Sequence, residues 1–196
     1  MADALLVSNL ILWIAVLVLL VAVLALARQV GILYERVAPM GALMMDSGPK
    51  VGEAAPRLEL ADIIGRGVRL GGAAAKAKLV FFLSPTCPVC KKLLPIVRAA
   101  AASESAWLEV VLASDGDQAE HEQFYRRMNL ARFPYVLSTE LGMTYRIGKL
   151  PYAVLIGEDG RIRAKGLVNS REQLESLFTA RELHVGSVQE YLERAA

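Results

Sequence analysis

LVFFLSPTCPVCKKLLPIV, residues 79–97, decides the architecture. Leu79-Val80-Phe81-Phe82-Leu83 is an unbroken apolar run bounded by Lys78 and Pro85. A run of that length and composition predicts a strand buried on both faces. Pro88 then opens a helix that reads through to Ser105, with Pro95 as a kink inside it. A buried strand therefore turns sharply into a helix, and the chain's only two cysteines, Cys87 and Cys90, sit at that turn.

Their position says more than their spacing. Cys87 falls at the helix start, where unpaired backbone N–H groups and the positive end of the helix dipole stabilise a thiolate. Pro88 suits a first helical position that needs no N–H donor. Lys91 and Lys92 add positive charge one turn on. Together these make Cys87 the expected attacking sulfur. Cys90, three residues later on the inner face, is placed to attack a mixed disulfide from the same side. Two other uses of the pair carry less. A structural disulfide closing so short a loop constrains the unfolded chain little. A zinc site normally takes four ligands, and His121 and His184 are far off in sequence. No metal and no cofactor is expected.

Outward from this stretch the pattern is that of an α/β domain. Leu58-Glu59-Leu60, a turn at Gly65-Arg66-Gly67, and Val68-Arg69-Leu70 predict a short hairpin. Leu108 to Leu112 is a second buried strand, and Asp115-Gly116-Asp117 starts a helix over Gln118 to Met128. Phe133 to Leu137 reads as a short extra strand. Tyr152 to Ile156 is a third clear strand, turned by Gly157 to Gly160 into an antiparallel partner, Arg161 to Val168. A last helix over Ser170 to Leu183 is N-capped by Ser170, with Glu172 in its first turn. The order β-α-β-α-β-β-α predicts a mixed sheet with helices on both faces.

The 196 residues are 55% apolar, carry 22 basic and 20 acidic side chains, and have a formal net charge of +2. This excludes a disordered chain and a disulfide-rich mini-protein, and it lacks the basic footprint of a nucleic-acid binder. The positive mean hydropathy of +0.39 comes largely from the N-terminus. Between Asp3 and Arg28 there is no charge, and only Ser8 and Asn9 are polar. As a helix, Ala4 to Ala27 would span about 36 Å at ~1.5 Å per residue, against ~30 Å of bilayer hydrocarbon. A cleaved signal peptide is the alternative, with Ala25-Leu26-Ala27 as its site. Against it stand Asp3 in a leader without Lys or Arg, and an apolar stretch longer than such leaders carry. The expected organisation is a transmembrane anchor over 1–27, a linker over 28–50 broken by Pro39, Gly41, Gly48 and Pro49 and rich in Met40, Met44 and Met45, and a domain over 51–196. Asp3 on one flank and Arg28 and Arg36 on the other mildly favour a cytoplasmic C-terminal side; the thiol chemistry argues for the opposite side.

The domain resembles the thioredoxin fold over roughly Val51 to Leu183. The buried strand ending in Pro85-Thr86-Cys87-Pro88-Val89-Cys90, Pro95 in the following helix, and Leu150-Pro151 just before the strand from Tyr152 carry the resemblance. It implies a cis Leu150–Pro151 bond. It also implies a substrate groove lined by Thr86, Pro88, Leu150 and Pro151 beside catalytic Cys87 and Cys90. Val51-Gly52-Glu53-Ala54-Ala55-Pro56 and Gly160-Arg161-Ile162-Arg163 resemble the peroxiredoxin-like, membrane-anchored branch of that fold. The anchor, Arg28-Gln29-Val30-Gly31, Glu35-Arg36-Val37-Ala38-Pro39, Gly41-Ala42-Leu43 and Cys87-Pro88-Val89-Cys90 extend the resemblance to the MauD family of methylamine utilization proteins.

That resemblance implies a thiol–disulfide oxidoreductase in the bacterial inner membrane, single-pass, with its catalytic domain facing the periplasm. Its client would be the small subunit of methylamine dehydrogenase, which is crowded with disulfides, and it would exchange electrons with a membrane or periplasmic redox partner not yet identified. Thr86 stands where thioredoxins usually carry Trp, and Phe81 where they keep a buried acid as proton acceptor. Proton transfer from Cys90 must then use Lys91, Lys92, a water or a carboxylate elsewhere. Three other functions compete: a reductant for cytochrome c maturation, a non-catalytic assembly chaperone, and a thiol peroxidase. The P-x-x-x-T-x-x-C pattern of the last is broken here by Val80 and Ser84.

Overall fold

The computed structural model describes residues 2–36 and 48–182. Met40, Met44 and Met45, the Pro39 and Gly41 breaks, His184 and the end of the last predicted helix at Leu183 lie outside the described residues. The chain divides into two units, Met1–Met45 and Asp46–Ala196.

The first unit is one helix, α1 (Ala2–Arg36). It runs on through Ala25-Leu26-Ala27 and nine residues into the stretch expected to be linker. Gln29, Leu33, Glu35 and Arg36 are good helix formers, and loss of apolarity at Arg28 ends the apolar segment without ending the helix. Within it, Leu6–Leu26 is long and apolar enough to cross a membrane. Its large side chains are exposed on every side, with Leu6 70% and Leu19 69% accessible. A helix apolar all round has no face to turn to water, which is the pattern of a membrane span.

The second unit opens with a hairpin, β1 (Leu58–Ala61) and β2 (Gly67–Leu70), paired antiparallel with Leu60 opposite Val68. Then come β3 (Ala77–Phe82), α2 (Pro88–Ser103), β4 (Leu108–Ser114), α3 (Gln118–Arg127), β5 (Tyr135–Leu137), α4 (Thr139–Thr144), β6 (Tyr152–Ile156), β7 (Ile162–Leu167) and α5 (Arg171–Glu182). The five-stranded sheet has the order β5-β4-β3-β6-β7. β3, β4 and β5 run parallel, while β6 and β7 run antiparallel to their neighbours. This is the mixed sheet expected from the alternation of elements, in the thioredoxin-like arrangement that the resemblance implies.

Strand alternation sorts the core into two layers. Leu79, Phe81, Leu108, Val110, Leu112, Tyr135, Ala153 and Leu155 face Cys90, Leu93, Leu94 and Val97 of α2, Phe124 of α3, and Leu174 and Leu177 of α5. Val80, Phe82, Val111, Ala113, Val136, Val154 and Ile156 face Val68 and Leu70 of the hairpin and Leu141 of α4. Each fully buried Leu or Phe contributes about 1.5–3 kcal/mol of transfer energy, which is why the 79–83 run sits at the centre of the sheet.

Helix α4 is absent from the sequence reading. Six residues do not complete two turns, so no periodicity announces it; its signal is the cap, in which the Ser138 hydroxyl accepts from Leu141 N at 3.1 Å. Pro95 lies inside α2 without ending it. Ser170 takes the capping place expected of it, its hydroxyl accepting from Gln173 N at 3.3 Å. The β6–β7 turn requires glycine: Gly160 has φ +77°, and a Cβ there would meet the Gly72 backbone at 2.6 Å.

Candidate active site

The turn that follows β3 is built by its own hydroxyls. Leu83 N donates to Ala113 O at 3.0 Å, carrying the β3–β4 pairing one residue past the strand. Ser84 and Thr86 share a hydrogen bond between Oγ and Oγ1 at 2.9 Å, and Cys87 N donates to Ser84 O at 3.2 Å. The chain is thereby bent so that Cys87, in extended conformation, is the N-cap of α2, with Pro88 in the first turn and no acidic residue to cancel the dipole.

In this position the Cys87 sulfur accepts a hydrogen bond from Cys90 N at 3.1 Å. A sulfur thus occupies the place that a Ser or Asp oxygen takes at most helix starts. Cys87 is half-buried and Cys90 is buried; both are free thiols. Burial pushes the Cys90 thiol up to about 12, and its contact with Cys87 and the charge there push the same way, against hydrogen bonds from the backbone of Ser84 and of Cys90 itself. Cys90 is a neutral thiol at physiological pH and needs a base before it can attack. Lys91 and Lys92 are both exposed.

The Leu150–Pro151 peptide is cis. Pro151 is buried and its carbonyl accepts from Val168 N at 3.1 Å. Since Tyr152 pairs with Phe82, Pro151 stands at the end of the sheet from which the Cys87 turn leaves. Thr86 and Pro88 are exposed at that end, and Leu150 is 38% exposed. The sequence reading missed Val89, an apolar side chain 37% exposed between the two cysteines. An apolar residue at an exposed position of a helix first turn is the signal that marks it.

Phe81 is fully buried, and in register it belongs to a cross-strand row Ala153–Phe81–Leu112–Tyr135. The polar group of this layer lies at the row's outer end. Tyr135 OH is 2.6 Å from His121 Nδ1, and His121 Nε2 is 2.9 Å from Asp115 O. The Ser114 hydroxyl donates to Leu83 O at 2.7 Å. His121, which the sequence leaves as an ordinary histidine, is 2% exposed and fully partnered. Among the described residues no cluster of three or more His, Cys, Asp or Glu side chains is present to hold a metal.

Residues 51–165 match the AhpC/TSA family. The chain is 47% identical over 185 residues to the methylamine utilization protein MauD of Paracoccus versutus, covering 94% of this chain and 93% of that protein. It is 47% identical over 194 residues to MauD of Paracoccus denitrificans, covering 98% and 96%. A solved structure from Chlorobium tepidum, described as a thiol:disulfide interchange protein DsbE, superposes with a TM-score of 0.62 at 19% identity over 68% of this chain and 99% of that protein. At that identity the last likeness speaks for the fold.

Proposed function

Because the chain belongs to the MauD proteins and its domain to the AhpC/TSA family, we propose that it is a membrane-anchored thiol–disulfide oxidoreductase that forms or isomerises disulfides in the small subunit of methylamine dehydrogenase while that enzyme matures. The observation that carries this reading is the Cys87 sulfur at the N-cap of α2, held by Cys90 N at 3.1 Å.

The chemistry is dithiol–disulfide exchange. The Cys87 thiolate attacks one sulfur of a client disulfide, that S–S bond breaks, and the other client sulfur leaves as thiolate. The mixed disulfide is resolved in one of two ways. Cys90 attacks Cys87, leaving the client reduced, or a client thiol displaces Cys87, leaving the client isomerised. From an oxidised Cys87–Cys90 pair the same steps run backwards, insert a disulfide into the client and leave the pair reduced, to be reoxidised by a membrane or periplasmic redox partner. Thr86, Pro88, Leu150 and Pro151 would hold the client chain beside Cys87.

The apolar segment within 1–27 would anchor the chain in the bacterial inner membrane, with 28–50 as tether and 51–196 as the working domain in the periplasm, where exported clients emerge. Membership of the AhpC/TSA family does not by itself bring peroxide chemistry. The proline and threonine that pattern requires are Val80, fully buried in β3, and Ser84.

Trapping tests the proposal. The Cys90→Ala chain should accumulate a reductant-sensitive complex with the small subunit of methylamine dehydrogenase, absent when Cys87 is also replaced. An apocytochrome c in the trap would move the function to haem protein maturation. Maturation surviving the loss of both cysteines would make the protein a chaperone.

A further inference from the structure

A side-chain bond sits where the sheet releases the cysteine turn. Leu83 N carries the ladder past β3, donating to Ala113 O at 3.0 Å. In a regular parallel pair the amide of residue 115 would supply the next rung, to Leu83 O. Asp115 instead opens the loop to α3, where Gly116 has φ +117° and the Asp115 carbonyl meets His121 Nε2 at 2.9 Å. β3 and β4 thus leave the sheet at the same level. The Ser114 hydroxyl bridges them there, donating to Leu83 O at 2.7 Å.

Ser114 is itself firmly held. It is 7% exposed, and its single hydroxyl proton goes to Leu83 O at 2.7 Å rather than to Asp115 O at 3.5 Å. Its backbone is fixed from the other side, paired with Leu137 of β5 and accepting from Ser138 N at 2.9 Å. Beyond Leu83 the turn gathers on Ser84: Thr86 N donates to Ser84 Oγ at 3.3 Å and Cys87 N to Ser84 O at 3.2 Å. The peptide that joins Ser84 to the sheet is the one whose carbonyl Ser114 pins. In the reduced protein Cys87 has a second tie, the bond its sulfur accepts from Cys90 N. A mixed disulfide weakens that tie, because a disulfide sulfur carries no charge and accepts poorly. The turn then has to keep the Cys87 sulfur in line for Cys90.

We propose that Ser114 is a positioning residue for the resolving step: its hydroxyl, through Leu83 O and the Ser84 turn, fixes the Cys87 sulfur where the Cys90 sulfur can reach it. The proposal rests on the exchange reading above. In that step an S–S bond forms between Cys90 and Cys87 and the bond from Cys87 to the client breaks. The client sulfur leaves as thiolate with the electron pair of the broken bond, and the Cys90 proton goes to a base from solvent. Both reacting sulfurs belong to one chain, so their mutual placement sets the rate. The opening attack is less exacting, because an external disulfide can turn to meet Cys87. Removing the hydroxyl therefore slows closure of the Cys87–Cys90 bond more than it slows the attack. A hydroxyl that merely satisfied a buried carbonyl would cost stability and leave the two steps in their original ratio.

The test uses the full chain in detergent, reduced, and mixed with an equimolar amount of the chromogenic disulfide 5,5′-dithiobis(2-nitrobenzoate). Attack by Cys87 releases one coloured thiolate, and closure by Cys90 releases a second. In the Ser114→Ala chain the second release should slow about tenfold relative to the first. Ser114→Thr, which keeps the hydroxyl, should restore the wild-type ratio, whereas Ser114→Val, of the same shape without the hydroxyl, should not. Ser170→Ala, which removes the cap on Gln173 N of α5, controls for lost stability alone and should keep the wild-type ratio. Should Ser114→Ala unfold, the Ser114→Thr and Ser114→Val chains carry the measurement. A wild-type ratio in Ser114→Ala, or equal slowing in Ser114→Thr and Ser114→Val, would overturn the positioning role. A wild-type chain that releases no coloured thiolate would instead overturn the exchange reading itself.

Discussion

The backbone N–H of Cys90 donates to the sulfur of Cys87 at 3.1 Å, so one bond both caps the helix and holds the two reacting residues together. Cap and chemistry are therefore separable by substitution. Cys87→Ser keeps a capping oxygen and should leave the stability of the reduced protein near that of the unaltered chain, while exchange is lost. Cys87→Ala should lose exchange and about 1 kcal/mol of stability as well. Thermal unfolding of the two reduced variants, set against their exchange rates, reads both effects.

A pH dependence follows from Cys90. Its thiol stands at about 12 in the folded protein, above the ordinary 9.0. For a group held in its neutral form by folding, the stabilisation is complete below pH 9 and is lost as pH rises towards the folded value, because the unfolded chain ionises first. The reduced protein should lose about 1 kcal/mol per pH unit above that point. Tyr145, which burial also pushes up to about 12, adds to the same decline. Denaturant unfolding between pH 8 and 11 of reduced wild-type and Cys90→Ala chains isolates the cysteine, since only the former should carry its share of the slope.

The carboxylate of Asp62 is a buried charge at the hairpin. Burial opposes its ionisation, but hydrogen bonds from the Arg66 side chain at 2.6 Å, from Arg66 N at 2.8 Å and from Ile64 N at 3.0 Å outweigh it and hold the carboxyl below its usual range. A lowered value stabilises above the ordinary 3.8 and loses that contribution as pH falls through the folded value. Asp62→Ala should cost about 1–2 kcal/mol at neutral pH, the loss of the hydrogen bonds its carboxylate accepts in the turn. Unfolding curves at neutral and acid pH should show the variant's deficit shrinking as pH drops.

In the proposed groove, client binding would be separable from thiol reactivity at Val89 and Leu150, the exposed apolar side chains beside the cysteines and the cis proline. Val89→Glu or Leu150→Glu should raise KM for the protein client about tenfold, the loss of one apolar contact. The rate with a small soluble disulfide should change far less. Steady-state kinetics on the two substrates checks it.

Much of the fold is written locally in the chain. The 79–83 run, the cysteines at a helix start and the β6–β7 hairpin are local patterns, and their physics is local: apolar continuity, a cap, a glycine turn. The cis bond at Pro151 came from family resemblance, since no spacing rule dictates it. Helix α4 stayed hidden because Thr139–Thr144 is too short for a period. The far reach of α1 stayed hidden because Gln29, Glu35 and Arg36 end the apolarity while favouring the helix. The His121–Tyr135 pair was illegible for another reason. Its members lie fourteen residues apart, and they meet only because β5 pairs with β4 at Leu112 and Tyr135.

The hairpin that carries Asp62 has one more effect. Ile63 N donates to Tyr135 O at 2.8 Å and Asp62 bridges Val136, so the outer margin of β5 is already taken by the protein's own backbone. A bare margin there would invite strand addition from any extended chain nearby. By occupying that margin itself, the domain leaves β5 no open ladder for a foreign strand to join.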